Sequence, residues 1–495
     1  MKTNNEEESI HLKSNSNHEH ENIPSGKSSR AIVLSAFSSL GGWFFGYDQG
    51  VTGGIVIMNS FKKDFCIGIY GNESICDLSI SALPSEYRRF LILFTLMYNL
   101  GCFLGALFIS SFIAEKFGRR AIIFTSSVLF IIGTFMVILP PGGSKNIMKF
   151  ILIGRIVEGT GVGCSSFACP LYASEIAPTK LRGMLSGFMT MAIVSGLFSA
   201  NIINFFLKNH SLGWRLSNGI ILIVPLILLM GIFCCPETPR WLLKNKSRKS
   251  AEKSLKYIRQ IDDVNEELNA IDDAIKDEGN EISIKELFTR KKMFQRLLIG
   301  MILHIFLQTS GIRFLSLIIL SGANMFSTIP ALFLFDKIGR RYLLIFCGLG
   351  MVFGHFFAGT GFLIICGTNT GILILISTVV YIISFALSWG AICWIYAAEI
   401  YPLNVRARAM SFTTASHWFM CIIMSFILEF ISSFGIHFGF YLFSSLCLCA
   451  VLFVYLFCPE TKGILLEDIE QVFDNFQLKD RVLFKKLTCR KDRQI

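Results

Sequence analysis

Charge is what this chain has too little of. Only 16% of its 495 residues are Asp, Glu, Lys or Arg, against about 25% in a soluble globular chain. With 53% hydrophobic residues and a mean hydropathy of +0.56, much of the surface must face something other than water. A soluble multidomain enzyme is thereby excluded. A single anchored soluble domain fails as well, because apolar runs recur from residue 31 to residue 458. Also absent are a nucleophile–base pairing, a metal-ligand cluster and a phosphate-cradling glycine loop before a helix. No catalytic residue, metal or cofactor is therefore expected. The first 30 residues have no apolar core, so they read as a disordered cytosolic tail and not as a cleaved signal peptide. His11, His18 and His20 within that tail are not read as metal ligands. Most of the 15 Cys lie inside apolar runs and read as reduced packing residues.

What the chain does have is 47 Phe and a series of apolar runs of spanning length. A helix needs about 20 apolar residues to cross the hydrocarbon. The runs predict helices at 31–58, 90–113, 121–139, 148–169, 184–206 and 218–235, then 297–335, 342–366, 372–396, 409–431 and 435–457. The expected architecture is an all-α polytopic membrane protein of about 12 spans in two six-helix halves. The tail 1–30, a first bundle 31–235, a helical cytosolic linker 236–295, a second bundle 296–458 and a cytosolic tail 459–495 make up the chain. A net charge of +11 does not imply nucleic acid here, because the basic residues lie between the runs. Lys116-Arg119-Arg120, Lys180-Arg182, Arg240 to Arg296, Lys337-Arg340-Arg341, Arg406-Arg408 and the C-terminal tail are placed inside, so both termini are cytosolic. The sequons at Asn72 and Asn209 fall on the other side and read as glycosylation sites. Cys66 and Cys76 flank the first sequon on that oxidising side, where an oxidised pair is one reading and two free thiols the other.

Three motifs recur in order at nearly one offset. Gly118-Arg119-Arg120 returns as Gly339-Arg340-Arg341, Glu175-x-x-Pro178-x-x-x-Arg182 as Glu399-x-x-Pro402-x-x-x-Arg406, and Pro236-Glu237-Thr238 as Pro459-Glu460-Thr461. A duplicated half follows, and parallel halves with a site between them are a recurrent transporter plan. The repeated charges sit at the cytosolic ends of helices. Glu175 is expected to pair with Arg119 and Arg182, and Glu399 with Arg340 and Arg406, while Glu237, Arg240 and Glu460 tie in the ends of helices 6 and 12. Such pairs form when an inner gate closes and break when it opens.

These residues carry a resemblance to the sugar porter family of the major facilitator superfamily, over residues 31–470. The resembling segments are GYDQG at 46–50, the two Gly-Arg-Arg triplets, and Gly154-Arg155 with Gly159, Gly161 and Gly163. PLYASEIAPTKLRG at 170–183, PETPRWL at 236–242, Trp389-Gly390 with Trp394, AEIYPLNVRARA and PETKG at 459–463 complete the set. The wording of helices 1 and 10 is most similar to fungal hexose transporters. The resemblance implies a major facilitator fold in the plasma membrane and alternating-access transport of a hexose or similar polyol, by uniport or proton symport. It implies sugar contacts at Gln308, Asn324, Trp394, Trp418, Thr190 and Phe385. Several polar family positions are changed, to Thr190, Leu307, Arg313 and Cys421. Gln308 and Asn324 are only 16 residues apart, so about 18 family residues are missing between helices 7 and 8, close to one span of about 20. Charge parity still demands an even number of crossings there, as a compressed hairpin or a re-entrant pair. Arg313 is expected to snorkel at the outer interface.

Asp48 and Arg155 are ionisable residues inside apolar runs and so candidates for function. The resemblance implies that Asp48 is the protonation site and Arg155 its modulator. Burial favours a neutral carboxyl and a nearby Arg a charged one, so a pair that opens and closes is a proton switch. Glu158 reads as an i, i+3 partner that neutralises Arg155. The expected partners are sugar, protons and lipid. The alternative reading, raised by the short helix 7–8 region, is a sugar sensor that does not transport.

Overall fold

The computed structural model describes residues 27–464 apart from 72, 77–82, 278–282, 312–317, 365–367, 403 and 433, together with 469, 472 and 473. The expectations for Asn72, Arg313 and the N-terminal histidines fall outside the described residues. All regular structure among the described residues is helical.

The first apolar run folds as α1 (Ser29–Ser38) and α2 (Leu40–Ile55), jointed at Ser39. There follow α3 (Ser85–Phe117), α4 (Arg119–Ile138), α5 (Lys145–Ile176), α6 (Arg182–Leu207) and α7 (Gly213–Cys234). Four short helices form the linker: α8 (Pro239–Asn245), α9 (Arg248–Arg259), α10 (Asn265–Asp277) and α11 (Ile284–Thr289). The second series is α12 (Lys291–Thr309), α13 (Ile318–Ile338), α14 (Arg340–Ile364), α15 (Thr368–Leu387) with α16 (Trp389–Glu399), α17 (Arg406–Ser432) and α18 (Ile436–Phe457). Among the described residues nine helices are long and apolar enough to cross a membrane. The three further spans are α1–α2, interrupted at its joint, α5, which carries Arg155 and Glu158, and α12, which starts on a basic segment.

Helix α5 runs past Pro170 to Ile176, where the apolar run suggested an end at 169. Proline inside a buried membrane helix is tolerated because its neighbours re-satisfy the freed backbone. The contact of α3 with α5 is made backbone to backbone. A Cβ added to Gly101 would lie 2.1 Å from the Ile156 carbonyl oxygen, and one on Gly159 2.1 Å from that of Tyr98. Glycine is required there for the close approach.

The region between Lys291 and Ile338 is two helices of 19 and 21 residues. At about 1.5 Å per residue these measure roughly 28 and 31 Å, enough for the ~30 Å hydrocarbon core. At the end of α12, His355 of α14 hydrogen-bonds the Ser310 carbonyl at 2.8 Å and packs at a tilt on Tyr381. That satisfies one of the carbonyls a helix end leaves orphaned.

The two ends of the molecule differ in chemistry. At the linker end, α9 and α10 share a small core of Ala251, Leu255, Val264 and Leu268. At the opposite end, residues 59–71 and 73–76 fold over the first half. Phe61 and Phe65 pack on Phe90, Phe94 and Trp214, Trp214 Nε1 donates to Asp64 at 2.8 Å, and Arg215 pairs with Asp64. Cys66 and Cys76 form a disulfide with Cα atoms 6.0 Å apart. Asn209 is exposed in the turn between α6 and α7 at that same end.

Candidate functional site

Each half builds the same clamp at the linker end. Gly118 (φ +99°) and Gly339 (φ +108°) break the chain direction just before α4 and α14. The next two backbone N–H groups then point at one carboxylate. Arg119 N and Arg120 N donate to Glu237 at 3.0 and 3.1 Å, and Arg340 N and Arg341 N to Glu460 at 2.9 and 3.0 Å. A carboxylate at a helix N-terminus is stabilised both by these donors and by the helix dipole. Burial pushes the Glu237 carboxyl up, while the N–H groups of Thr238, Arg120 and Arg119 pull it back. The glycines also make room, since a Cβ on Gly118 would meet Glu237 Oε2 at 2.2 Å. The arginine side chains point inward. Arg119 forks onto Glu175 at 2.9 and 2.8 Å, and Arg340 reaches Glu399 at 2.8 Å.

The other gate residues make contacts that the motif spacing did not specify. Arg182 Nη1 donates to the Ile464 carbonyl of the second half at 3.1 Å. Arg406 Nε donates to the Tyr401 carbonyl at 3.0 Å, and its charge lies within reach of Glu175 across the halves. Arg240 Nη1 lies 3.4 Å from the Glu175 carbonyl.

Two carboxylates not singled out in the sequence bind the halves together. Glu115 on α3 takes an ion pair from Arg408 on α17 at 3.0 Å. Asp336 on α13 accepts from the N–H groups of Gly183 and Met184 at 3.1 and 2.9 Å, at the start of α6, and pairs with Arg340 at 3.2 Å. Both sit three residues before the clamp glycine, 221 residues apart. The repeat that revealed the arginines also contained them.

Further from the linker end, the halves meet through aromatic and hydroxyl groups. Ser411 Oγ on α17 donates to the Ala106 carbonyl at 2.6 Å. Trp418 Nε1 donates to Ser166 Oγ on α5 at 3.1 Å, and its ring packs on Phe45 and Tyr98. Beside it stands the polar cluster of the second half. The Gln308 side-chain nitrogen lies 2.8 Å from His417 Nε2, and the His417 ring packs on Trp394 and Trp418 with centroids 4.8 and 5.2 Å apart. His304 stands edge-on to Trp394 at 4.8 Å. The structure thus brings Gln308, Trp394 and Trp418 together through two histidines that the sequence reading did not select. Thr190 on α6, Asn324 on α13 and Phe385 on α15 stand buried on surrounding helices, with Phe385 against Tyr381. His304 Nε2, Thr190 Oγ1 and Asn324 Oδ1 are buried without a hydrogen-bond partner. His304 Nδ1 faces the Gly300 carbonyl at 3.0 Å, so it carries the proton and leaves Nε2 an acceptor.

In the first half, Asp48 and Arg155 form a fully buried pair, with Nη1–Oδ1 2.7 Å and Nη2–Oδ2 3.2 Å. The guanidinium is sandwiched by Phe94 and Tyr98, each ring centroid 4.5 Å away. Such a pair holds its charge only while the surrounding donors and acceptors stay in place.

Comparison with known proteins matches this geometry to one family. The profile described as "Sugar (and other) transporter" matches residues 34–317 and 313–473, breaking in two at the short α12–α13 connection. Sugar transport protein MST8 of Oryza sativa subsp. japonica is 31% identical, over 92% of this chain and 93% of its own. Hexose transporter HXT13 of Saccharomyces cerevisiae is 30% identical, over 88% and 81%. Among solved structures, the proton:xylose symporter XylE bound to 6-bromo-6-deoxy-D-glucose superposes with a TM-score of 0.77 at 28% identity, covering 90% of this chain and 100% of that one. The inward-open conformation of XylE from E. coli superposes with 0.67 at 27% identity, covering 89% and 99%. With a duplicated clamp, nine helices among the described residues long and apolar enough to cross a membrane, and matches along nearly its whole length, the chain belongs to the sugar transporter family of the major facilitator superfamily.

Proposed function

We propose that the protein carries a monosaccharide, a hexose such as glucose, across the plasma membrane by alternating access coupled to protons. The observation that carries this reading is the set of locks across the halves at one end, below a buried cluster of amide, imidazole and indole groups. Glu115–Arg408, Asp336 on the α6 N-terminus and Arg182–Ile464 hold the linker end shut. The better superposition on the sugar-bound XylE structure than on its inward-open form supports a closed inner gate. The basic clusters and linker helices support a cytosolic linker end with both termini on that side, and the disulfide and Asn209 on the other. Asn72 and Asn209 are then acceptors for glycosylation.

A monosaccharide offers hydroxyls and an apolar C–H face. Trp394 suits the face, while His304 Nε2, Thr190 Oγ1, Asn324 Oδ1 and Gln308 are groups its hydroxyls would satisfy. Helices α12 and α13, of 19 and 21 residues, favour transport over a sensor, because the second half keeps a helix pair at the place where residues are missing. Labelled-hexose uptake in transporter-null cells tests the reading. Saturable uptake is expected, and a surface-resident protein that moves no hexose or polyol sinks it. Within that assay, His417→Ala raises the half-saturation concentration about 5- to 150-fold, as expected when ~1–3 kcal/mol is lost with Gln308 left unpaired. An unchanged half-saturation concentration removes this cluster from the binding site.

A further inference from the structure

Asp48 is one of two carboxylates on Arg155. Glu158 lies one turn along α5, and its Oε2 accepts from Arg155 Nη1 at 2.7 Å. Arg155 also gives Nη2 to Thr52 Oγ1 at 2.9 Å and Nε to the Phe94 carbonyl at 3.3 Å. With the two bonds to Asp48, all five N–H donors of the guanidinium are used. The side chains of Arg155 and Asp48 are 0% exposed and that of Glu158 1%. The ionisable and charged groups facing Glu158 are Asp48 from α2, Tyr98 from α3 and Arg155 on its own helix, with Cys102 of α3 and Cys421 of α17 beyond them. Arg155 is the single cation of this set. Two ionised carboxylates would leave the site with a net negative charge inside the bilayer, where an uncompensated charge is costly.

Thr134 on α4 shows which oxygen holds the compensating proton. Its Oγ1 is 2.9 Å from the Phe130 carbonyl and 2.8 Å from Glu158 Oε1. A threonine hydroxyl has one hydrogen, and an ionised Glu158 would compete with the carbonyl for it. A neutral Glu158 removes the conflict. Its O–H donates to Thr134 Oγ1, Thr134 donates to Phe130, and Oε2 still accepts from Arg155. Asp48 has both of its oxygens taken by guanidinium N–H donors.

We propose that Glu158 is a second proton site beside the Asp48–Arg155 pair, and that it carries the proton while the inner gate is closed. In that step hydronium gives its proton to the Glu158 carboxylate and leaves as water, and the site goes from one net negative charge to none. Release on the other side reverses it. The assignment to transport rests on the proton-coupled reading above, but the location of the proton does not.

Infrared spectroscopy of the purified full chain at neutral pH tests the location. The carboxylic-acid C=O band of the wild type is expected to lose intensity in Glu158→Gln and to keep it in Asp48→Asn. Loss in Asp48→Asn alone overturns the proposal. Glutamine has the shape and neutrality of a protonated glutamate, so Glu158→Gln should leave the melting temperature unchanged. A fall as large as that of Arg155→Met would make Glu158 an ionised counter-ion. In proteoliposomes, sugar-driven proton uptake should drop to background in Glu158→Gln, and counterflow should lose its pH dependence, with partial recovery in Glu158→Asp. Wild-type proton uptake by Glu158→Gln overturns the coupling role. Absent wild-type counterflow would instead defeat the transport reading, leaving the infrared result to judge the proton's place.

Discussion

Arg155→Met is expected to abolish uphill sugar accumulation and to destabilise the protein by about 3–5 kcal/mol, the usual cost of removing one partner of a buried ion pair. Five hydrogen bonds disappear with the guanidinium, to Asp48, Glu158, Thr52 and the Phe94 carbonyl. The stacking on Phe94 and Tyr98 goes with them. Asp48 is then left buried with no cation beside it and can enter the closed state only protonated. A proton that cannot leave cannot drive a cycle. Arg155→Lys restores the charge but not the fork, so it recovers part of the stability and little of the accumulation. Thermal unfolding in detergent and pH-driven uptake in proteoliposomes measure the two effects. Wild-type accumulation by Arg155→Met would remove this pair from the coupling mechanism.

The second large effect is expected at the linker end. Glu115→Gln combined with Asp336→Asn should move the resting population toward an open cytosolic side by roughly 30- to 150-fold, which corresponds to about 2–3 kcal/mol. Most of that comes from Asp336, whose two backbone donors lie at the start of α6 and whose charge is favoured there by the helix dipole. Glu115–Arg408 is partly exposed and contributes at most about 1 kcal/mol. Spin labels at Lys116→Cys and Lys337→Cys report the separation of the halves, once the exposed Cys234 and Cys449 are replaced. A distance distribution identical to that of the unmutated lock would show that these carboxylates do not hold the gate.

Features that repeat were the legible part of this molecule. Arg119, Glu175, Glu237, Arg340, Glu399 and Glu460 could be read because two copies of one arrangement leave two copies of one spacing. Glu115 and Asp336 obey the same offset but differ in identity, so a search for identical residues passes over them. Arg182 and Arg406 were visible as charges, yet their bonds to the Ile464 and Tyr401 carbonyls depend on backbone positions that no residue type announces. His304 and His417 were missed for another reason. His304 is a lone polar residue in an apolar run, His417 follows Thr413, Thr414 and Ser416, and only the folded bundle sets the two against Trp394 and Gln308. Glu158 was read as a neutraliser of Arg155 from helical spacing alone, which could not reveal that Thr134 of another helix meets its second oxygen. The short region around α12 and α13 was visible as a deficit in length, and the helix pair it keeps required the coordinates.

The clamps on Glu237 and Glu460 divide the molecule mechanically. Each binds the last helix of a half to the first turn of that half's third helix, wholly within one bundle. Rocking one bundle against the other therefore does no work on them. They behave as welds, while the contacts of Glu115, Asp336 and Arg182 behave as latches. The stiffness of each bundle and the ease with which the gate opens are thus set by separate residues, and either can drift in sequence without disturbing the other.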